Sequence, residues 1–299
     1  MNDTGTGNTV ACDHPVTSEM IIDSLRAFVN YAGVDGFRFD LATILGRTAH
    51  GFDAQAPLFK MIAADPVLSD RVLVAEPWDI GPGGYQLGNF SERFLEWNDR
   101  YRDDVRRFWR GDRNTIGTLA TRLAGSSDIF GRDSEVQTRT VNFVAAHDGM
   151  TLADTCVYQH KHNEANGEDN RDGHNENFSW NNGVEGQTTD EEILIRRRRD
   201  IKAMLSTLFL SRGTIMLTAG DEFGRTQKGN NNAYAQDNEL TWLDWANRDS
   251  DLEAFAFRLA ELRNTAPGLT TTALLSGAKI DGLADVEWLS ETGEPLQTG

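Results

Sequence analysis

The chain has 299 residues, 39% of them hydrophobic and 25% charged, a balance that excludes a disordered tail or a fibre. Forty-six acidic residues against 29 basic ones give a formal charge of -17, which excludes a surface built for phosphodiester backbones and points to neutral ligands. The length fits two ordinary domains or one (β/α)8 barrel of about 250 residues.

Cys12 and Cys156 lie far apart with no CxxC spacing, the usage of a reducing compartment without structural disulfides. The stretch Met1 to Asn8 lacks the basic and apolar regions of a signal peptide, and no apolar run approaches a membrane span. A cytoplasmic location is the expectation.

Ile21, Leu25, Phe28 and Val29 share one helical face, so the spacing predicts an amphipathic helix over Thr17 to Ala32, ended by Gly33. Val34 to Asp40 reads as a strand with Arg38 and Asp40 on one face and Phe37 and Phe39 on the other. A helix over Pro57 to Ala64 leads to a second strand, Val72 to Glu76, and Phe94 to Asn98 reads as a third. Helical stretches around Asp103 to Trp109 and Thr115 to Leu123 precede a fourth strand, Thr140 to Asp148. Residues 158 to 190 form a polar loop, Ile193 to Ser211 a helix, and Thr214 to Thr218 a fifth strand followed by Asp221 and Glu222. A second polar loop, a helix from Leu252 to Asn264 and a tail with Val286 to Leu289 complete the chain.

Strands alternating with helices imply a parallel sheet, and α/β folds place their chemistry at strand carboxyl ends. Asp40, Glu76 and Asp148 each close a predicted strand. A single acid there is most simply a cap or a solvated loop end, but three at separate strand ends suit glycoside hydrolysis. A retaining glycosidase needs a carboxylate nucleophile and a protonated carboxyl about 5 to 5.5 Å apart. Arg38 would hold Asp40 ionised, while Glu76, with less cationic company, would keep its proton longer.

Val34-Asp35-Gly36-Phe37-Arg38-Phe39-Asp40, Val74-Ala75-Glu76-Pro77-Trp78 and Val144-Ala145-Ala146-His147-Asp148 resemble the second, third and fourth signature segments of the α-amylase superfamily, glycoside hydrolase family 13. Pro77 to Tyr85, Glu96 to Asp99, His162 to Glu168 and Asn230 to Asn238 narrow the resemblance to its isoamylase-like branch and the bacterial debranching group. It implies a catalytic (β/α)8 barrel represented by about strands 4 to 8 over residues 1–270, and the start of a carboxyl-terminal β-sandwich over 271–299. It further implies retaining cleavage of α-1,6 branch linkages in glycogen or limit dextrin, with Asp40 as nucleophile, Glu76 as acid/base, Asp148 stabilising the transition state and Arg38 and His147 in support. No cofactor is implied, and neither nucleic acid nor membrane is an expected partner. The family's first signature is absent, so the chain is expected to start inside a larger protein, and Ala11 stands where the family has Asn.

Trp78 and Tyr85 follow Glu76 in a Gly/Pro-rich loop and are the favoured aromatic contacts for glucan, ahead of Trp180, Tyr234, Trp242 and Trp245; Trp97 reads as core. Asp221, Gln236 and Asp237 are further candidate substrate contacts. His160 and His162 near Glu164 and Asp169 suggest a metal, but a hydrated loop accounts for them and no zinc set is completed. Arg196 to Arg199 read as a solvated helix face. Three readings stay open: a debranching hydrolase, a fragment that only binds α-glucan, and a related α-glucan transferase.

Overall fold

The computed structural model describes residues 2–131, 136–275 and 277–296, and the chain divides into two compact units, Met1–Asn98 with Arg139–Val141 and Asp99–Thr138 with Asn142–Gly299. Of the segment expected to open a β-sandwich, residues 276 and 297–299 lie outside the described ones.

The first unit opens with α1 (Pro15–Ala27), where Pro15 occupies the first helical turn and its missing N–H costs nothing. The helix continues as one π turn, Phe28–Ala32, and stops at Gly33, whose φ of 67° is left-handed. A π turn takes an extra residue and rotates the apolar face. Ile22 and Leu25 are therefore buried, while Phe28, expected on that face, is exposed.

Strands β1 (Gly36–Phe39), β2 (Arg47–Thr48) and β3 (Gly51–Phe52) are followed by α2 (Pro57–Ala64), β4 (Val72–Ala75), β5 (Phe94–Asn98) and β6 (Thr140–Asn142). β1 pairs with β4 and β4 with β5, both parallel, while β2 and β3 form a small hairpin. β6 is the next neighbour of β5, where Glu96 N donates to Arg139 O at 2.8 Å. Phe52, Phe59, Phe90 and Phe94 pack ring against ring at 5.0 to 6.2 Å, and α2 adds Leu58 and Ile62 to the same core. The parallel register pairs Phe39 with Ala75, so Asp40 and Glu76 leave the sheet at the same edge.

The second unit contains α3 (Asp99–Arg110), α4 (Ile116–Leu123), α5 (Ser127–Phe130), α6 (Leu152–Thr155), α7 (Glu191–Leu210), β7 (Thr214–Ile215), α8 (Ser250–Thr265), α9 (Pro267–Thr270) and the hairpin β8 (Lys279–Ile280) with β9 (Leu283–Ala284). Its core joins Tyr101 and Val105 of α3, Leu152 of α6, Met204, Leu205 and Leu208 of α7, and Leu252 and Leu259 of α8. Asp190 caps α7 by accepting from Glu192 N and Ile193 N, and Asp249 caps α8 by accepting from Leu252 N at 2.9 Å while pairing with Arg198. Of the four arginines expected on a solvated face, Arg197 is buried instead and donates to the carbonyls of Val157, Asn181 and Val184. It gathers the polar loop onto the helix.

The expected strand Thr140 to Asp148 ends at Asn142, whose carbonyl accepts from Met216 N at 2.8 Å. Past that point side chains take the carbonyls that a ladder would have used: Arg106 takes Val144 O and Thr218 Oγ1 takes Ala145 O. Thr138 N donates to Thr272 O at 2.7 Å and Leu274 N to Val136 O at 2.9 Å, so residues 272 to 274 run against this unit's own segment. Among the described residues no helix is long and apolar enough to cross a membrane.

Candidate active site

In the first unit one guanidinium spans two carboxylates. Arg38 Nη1 lies 2.7 Å from Asp40 Oδ1, and its Nη2 lies 2.9 Å from Glu76 Oε2. The guanidinium is itself stacked over Trp97 at 4.3 Å from the ring centroid. Trp97, expected as plain core, is thus buried beneath the charged pair and fixes its height. The two acids differ in setting: the Asp40 side chain is 72% exposed, whereas that of Glu76 is 6% exposed.

Arg38 serves both acids, so Glu76 does not have the lesser cationic company expected of it. Glu76 Oε2 also accepts from Leu41 N at 2.7 Å, and Leu41 has a left-handed φ of 42°. Such a backbone costs on the order of 1 to 3 kcal/mol for a branched side chain, and it is what aims that N–H at the carboxylate. Ala42 N and Trp78 N both donate to Glu76 O at 2.9 Å, so backbone on both sides locks the residue.

The Gly/Pro-rich loop after Glu76 is built around Asp79, a residue that pattern reading passed over. Arg47 grips it with two bonds, Nε to Oδ2 at 2.8 Å and Nη2 to Oδ1 at 2.6 Å, and Gly81 N donates to Oδ1 at 2.8 Å. A Cβ on Gly84 would come 2.3 Å from Asp79 Oδ1, which is why the loop requires glycine there. This ring holds Tyr85, 44% exposed, and the half-buried Trp78 beside Glu76.

In the second unit His147 and Asp148 are exposed neighbours, with Nδ1 3.9 Å from Oδ1. Behind them lies Arg106 of α3, also missed in the sequence. Its buried guanidinium donates to Val144 O at 2.8 and 2.6 Å, to Met150 O at 3.4 Å and to Asn177 O at 2.9 Å. Burial pulls it down to about 10, so it keeps its charge at neutral pH. Val144 and Met150 bracket the turn that carries His147 and Asp148, and Gly149 N is fixed to Asn231 O at 2.9 Å.

Asp221, a candidate substrate contact, is 1% exposed and serves the scaffold: Oδ1 accepts from Leu152 N at 3.2 Å and lies 3.5 Å from Arg225 Nε. Burial pushes its carboxyl up to about 7, with Arg225 pulling the other way. Gln236 is likewise engaged, its Nε2 donating to Ala165 O at 3.0 Å and Asn166 Oδ1 at 2.9 Å. Asp237 is exposed and accepts from Trp242 Nε1 at 3.0 Å. Trp180, another aromatic candidate, packs on the core with Nε1 bonded to Asp200 Oδ2 at 2.9 Å.

The two polar loops interlock through asparagines. Asn163 Nδ2 donates to Asn231 Oδ1 and Asn163 Oδ1 accepts from Asn231 N, each at 2.9 Å, while Asn231 Nδ2 donates to Asn177 Oδ1 at 2.8 Å. Asn166 and Asn232 both donate to Asp172 Oδ2 at 2.7 Å. His162 bonds Glu185 at 3.0 Å, and among the described residues no three His, Cys, Asp or Glu side chains are grouped to hold a metal.

No protein-family model matches the chain. It is 50% identical over 296 residues to the glycogen debranching enzyme of Serratia proteamaculans, covering 99% of this chain and 44% of that enzyme. It is 48% identical over 298 residues to the glycogen operon protein GlgX homolog of Mycobacterium tuberculosis, covering 98% of this chain and 41% of that protein. Among solved structures, the pullulanase of Anoxybacillus sp. LM18-11 complexed with maltotetraose superposes with a TM-score of 0.67 at 27% identity, covering 91% of this chain and 37% of that one. The chain therefore has an α/β fold with a parallel sheet like that of pullulanases, is homologous along its length to bacterial glycogen debranching enzymes, and spans less than half the length of these relatives.

Proposed function

We propose, from kinship with the glycogen debranching enzymes, that this chain carries the catalytic acids of an α-glucan hydrolase that cleaves α-1,6 branch linkages with retention of configuration. The observation that carries the reading is the Arg38 guanidinium held between Asp40 and Glu76. Two carboxylates within reach of one guanidinium suit the spacing of about 5 to 5.5 Å that retention needs. Residues 1–270 are read as the carboxyl-terminal part of a (β/α)8 barrel, about strands 4 to 8, and 271–299 as the opening of a β-domain.

In the first step Glu76 gives its proton to the leaving O6 as the bond from C1 to that oxygen breaks, and Asp40 bonds C1 from the opposite face. In the second, Glu76 takes a proton from water, whose oxygen attacks C1 and releases Asp40 as carboxylate. Two inversions return the α configuration. Asp148 and His147 are assigned to the sugar hydroxyls and the charge that develops on the ring, and Trp78 and Tyr85 to stacking on glucose faces. The substrate is α-glucan, with phosphorylase limit dextrin as the form that presents short branches.

The test is the release of linear oligosaccharide from glycogen limit dextrin by a full-length parent, with the product anomer followed by NMR. Asp40→Ala is expected to abolish turnover and leave dextrin binding largely intact. Near-normal turnover in that variant, or transfer of the chain into a new branch, overturns the assignment.

A further inference from the structure

The segment after Asp221 carries exposed aromatic side chains that the reading above does not use: Tyr234, Trp242 and Trp245 are 88, 64 and 58% exposed. Trp245 is accounted for by its contact with Phe223, ring centroids 5.2 Å apart. Trp242 belongs to neither hydrophobic core. Its indole Nε1 is tied to Asp237 Oδ1 at 3.0 Å, its backbone N to Asn238 O at 3.0 Å, and the preceding Thr241 Oγ1 to Gln236 O at 2.7 Å. An indole left at the surface forgoes its hydrophobic stabilisation, and holding it in one orientation costs rotamer entropy besides. A ligand that stacks on the ring offsets both.

Beside it is a cavity of about 350 Å³, lined on its apolar side by Phe223 and Trp242 and on its polar side by Lys228, Glu239, Asp244 and Arg248. With Arg225, which also lies 3.5 Å from Asp221, the lining holds three cations and two anions, so the cavity carries both signs of charge and is not walled by cations alone. It offers donors and acceptors together, which matches hydroxyl groups. Its size lies at the small end of ligand sites. Asp244 is held in place by Asn247, which donates from N at 3.1 Å and from Nδ2 at 2.8 Å.

We propose that Trp242 and this cavity form an auxiliary α-glucan site, in which one glucose stacks on the indole while its hydroxyls reach Asp244 and Arg248. The choice of α-glucan rests on the function proposed above. The site engages a second stretch of a polymer whose other stretch is being cut, and so raises affinity for long or branched chains over short ones.

The experiment uses the Asp40→Asn chain, which cannot form the glycosyl ester, so binding is read without turnover. Its retardation in native gels containing glycogen, with maltoheptaose as competitor, is compared with that of the same chain carrying Trp242→Ala or Trp242→Phe. Trp242→Ala is expected to weaken glycogen binding about tenfold, about 1.4 kcal/mol, with the unfolding midpoint unchanged, and Trp242→Phe to retain most of the binding. Unchanged retardation in Trp242→Ala, equal loss in both variants, or no retardation of the Asp40→Asn chain overturns the site. Binding that depends on Trp242 in a parent that releases no linear chains overturns the hydrolase reading and leaves the site standing.

Discussion

Arg38 ties an exposed carboxylate to a buried one, and its ring support from Trp97 leaves the guanidinium little freedom to follow either acid alone. Lysine carries the charge at a single nitrogen and cannot set a separate nitrogen against each carboxylate as Nη1 and Nη2 do. Arg38→Lys is therefore expected to cost one charged hydrogen bond, about 1.5 to 3 kcal/mol, and to lower kcat on branched dextrin by about tenfold or more; an unchanged kcat would show that the bridge is not needed. Asp221 has the opposite character, a carboxyl that burial raises to about 7. Between the unfolded value of about 3.9 and that point, the folded chain keeps a proton that the unfolded chain has released. Its contribution is most favourable below that window, declines as pH rises through it, and is flat above. Urea unfolding of the native chain and of Asp221→Asn across pH 4 to 8 checks this: the native chain is expected to lose stability relative to the variant up to about pH 7, and a constant difference would refute it.

At the level of elements, most of the scaffold was legible because burial leaves a mark on the sequence: α2 came out at the expected Pro57 and Ala64, and β4 and β5 at the short apolar runs read as strands. What escaped was set by contacts distant in sequence. The π turn at Phe28 has no local signature, and β6 is cut short because Arg106 and Thr218 claim the carbonyls after Asn142. Asp40, Glu76 and Asp148 stand out in the sequence because each follows an apolar strand pattern, while Asp79, Arg47 and Arg106 do not, because an isolated charged residue gives no sign that it folds inward. Nothing in the local pattern marks Asp221 or Gln236 as bonded to the scaffold either. Arg106 links α3 to the His147 and Asp148 turn through the carbonyls of Val144 and Met150 and to the polar loop through that of Asn177, so Arg106→Met should leave all three without a partner. An unpaired buried acceptor costs about 1 to 3 kcal/mol, so the variant is expected to lose at least about 3 kcal/mol in urea unfolding. A loss below about 1 kcal/mol would mean that water replaces the guanidinium without penalty.

For the molecule as a whole, two surface properties oppose each other. In the first unit β1 pairs with β4 on one side and, among the described residues, with no strand on the other, which leaves backbone donors and acceptors open to another chain. The nearby α1 segment exposes Val16 and Met20, and the π turn exposes Phe28 and Tyr31, a run of large apolar side chains that favours association. Against this stands the formal charge of -17, which makes any two copies repel. Repulsion reaches about 30 Å at 0.01 M salt and about 8 Å at 0.15 M, whereas apolar contact and strand pairing are short-ranged and little affected by such salt. Expressed as a separate 299-residue polypeptide, the chain is therefore expected to be mostly monomeric in dilute buffer and to associate as salt is raised, with little hydrolysis of limit dextrin in either state. Sedimentation velocity from 0.01 to 0.3 M sodium chloride reads this directly. A mass that stays monomeric throughout, or that falls as salt rises, would show that the open edge and apolar run do not govern association, and debranching turnover close to that of a full-length relative would show that an unpaired β1 edge is compatible with catalysis.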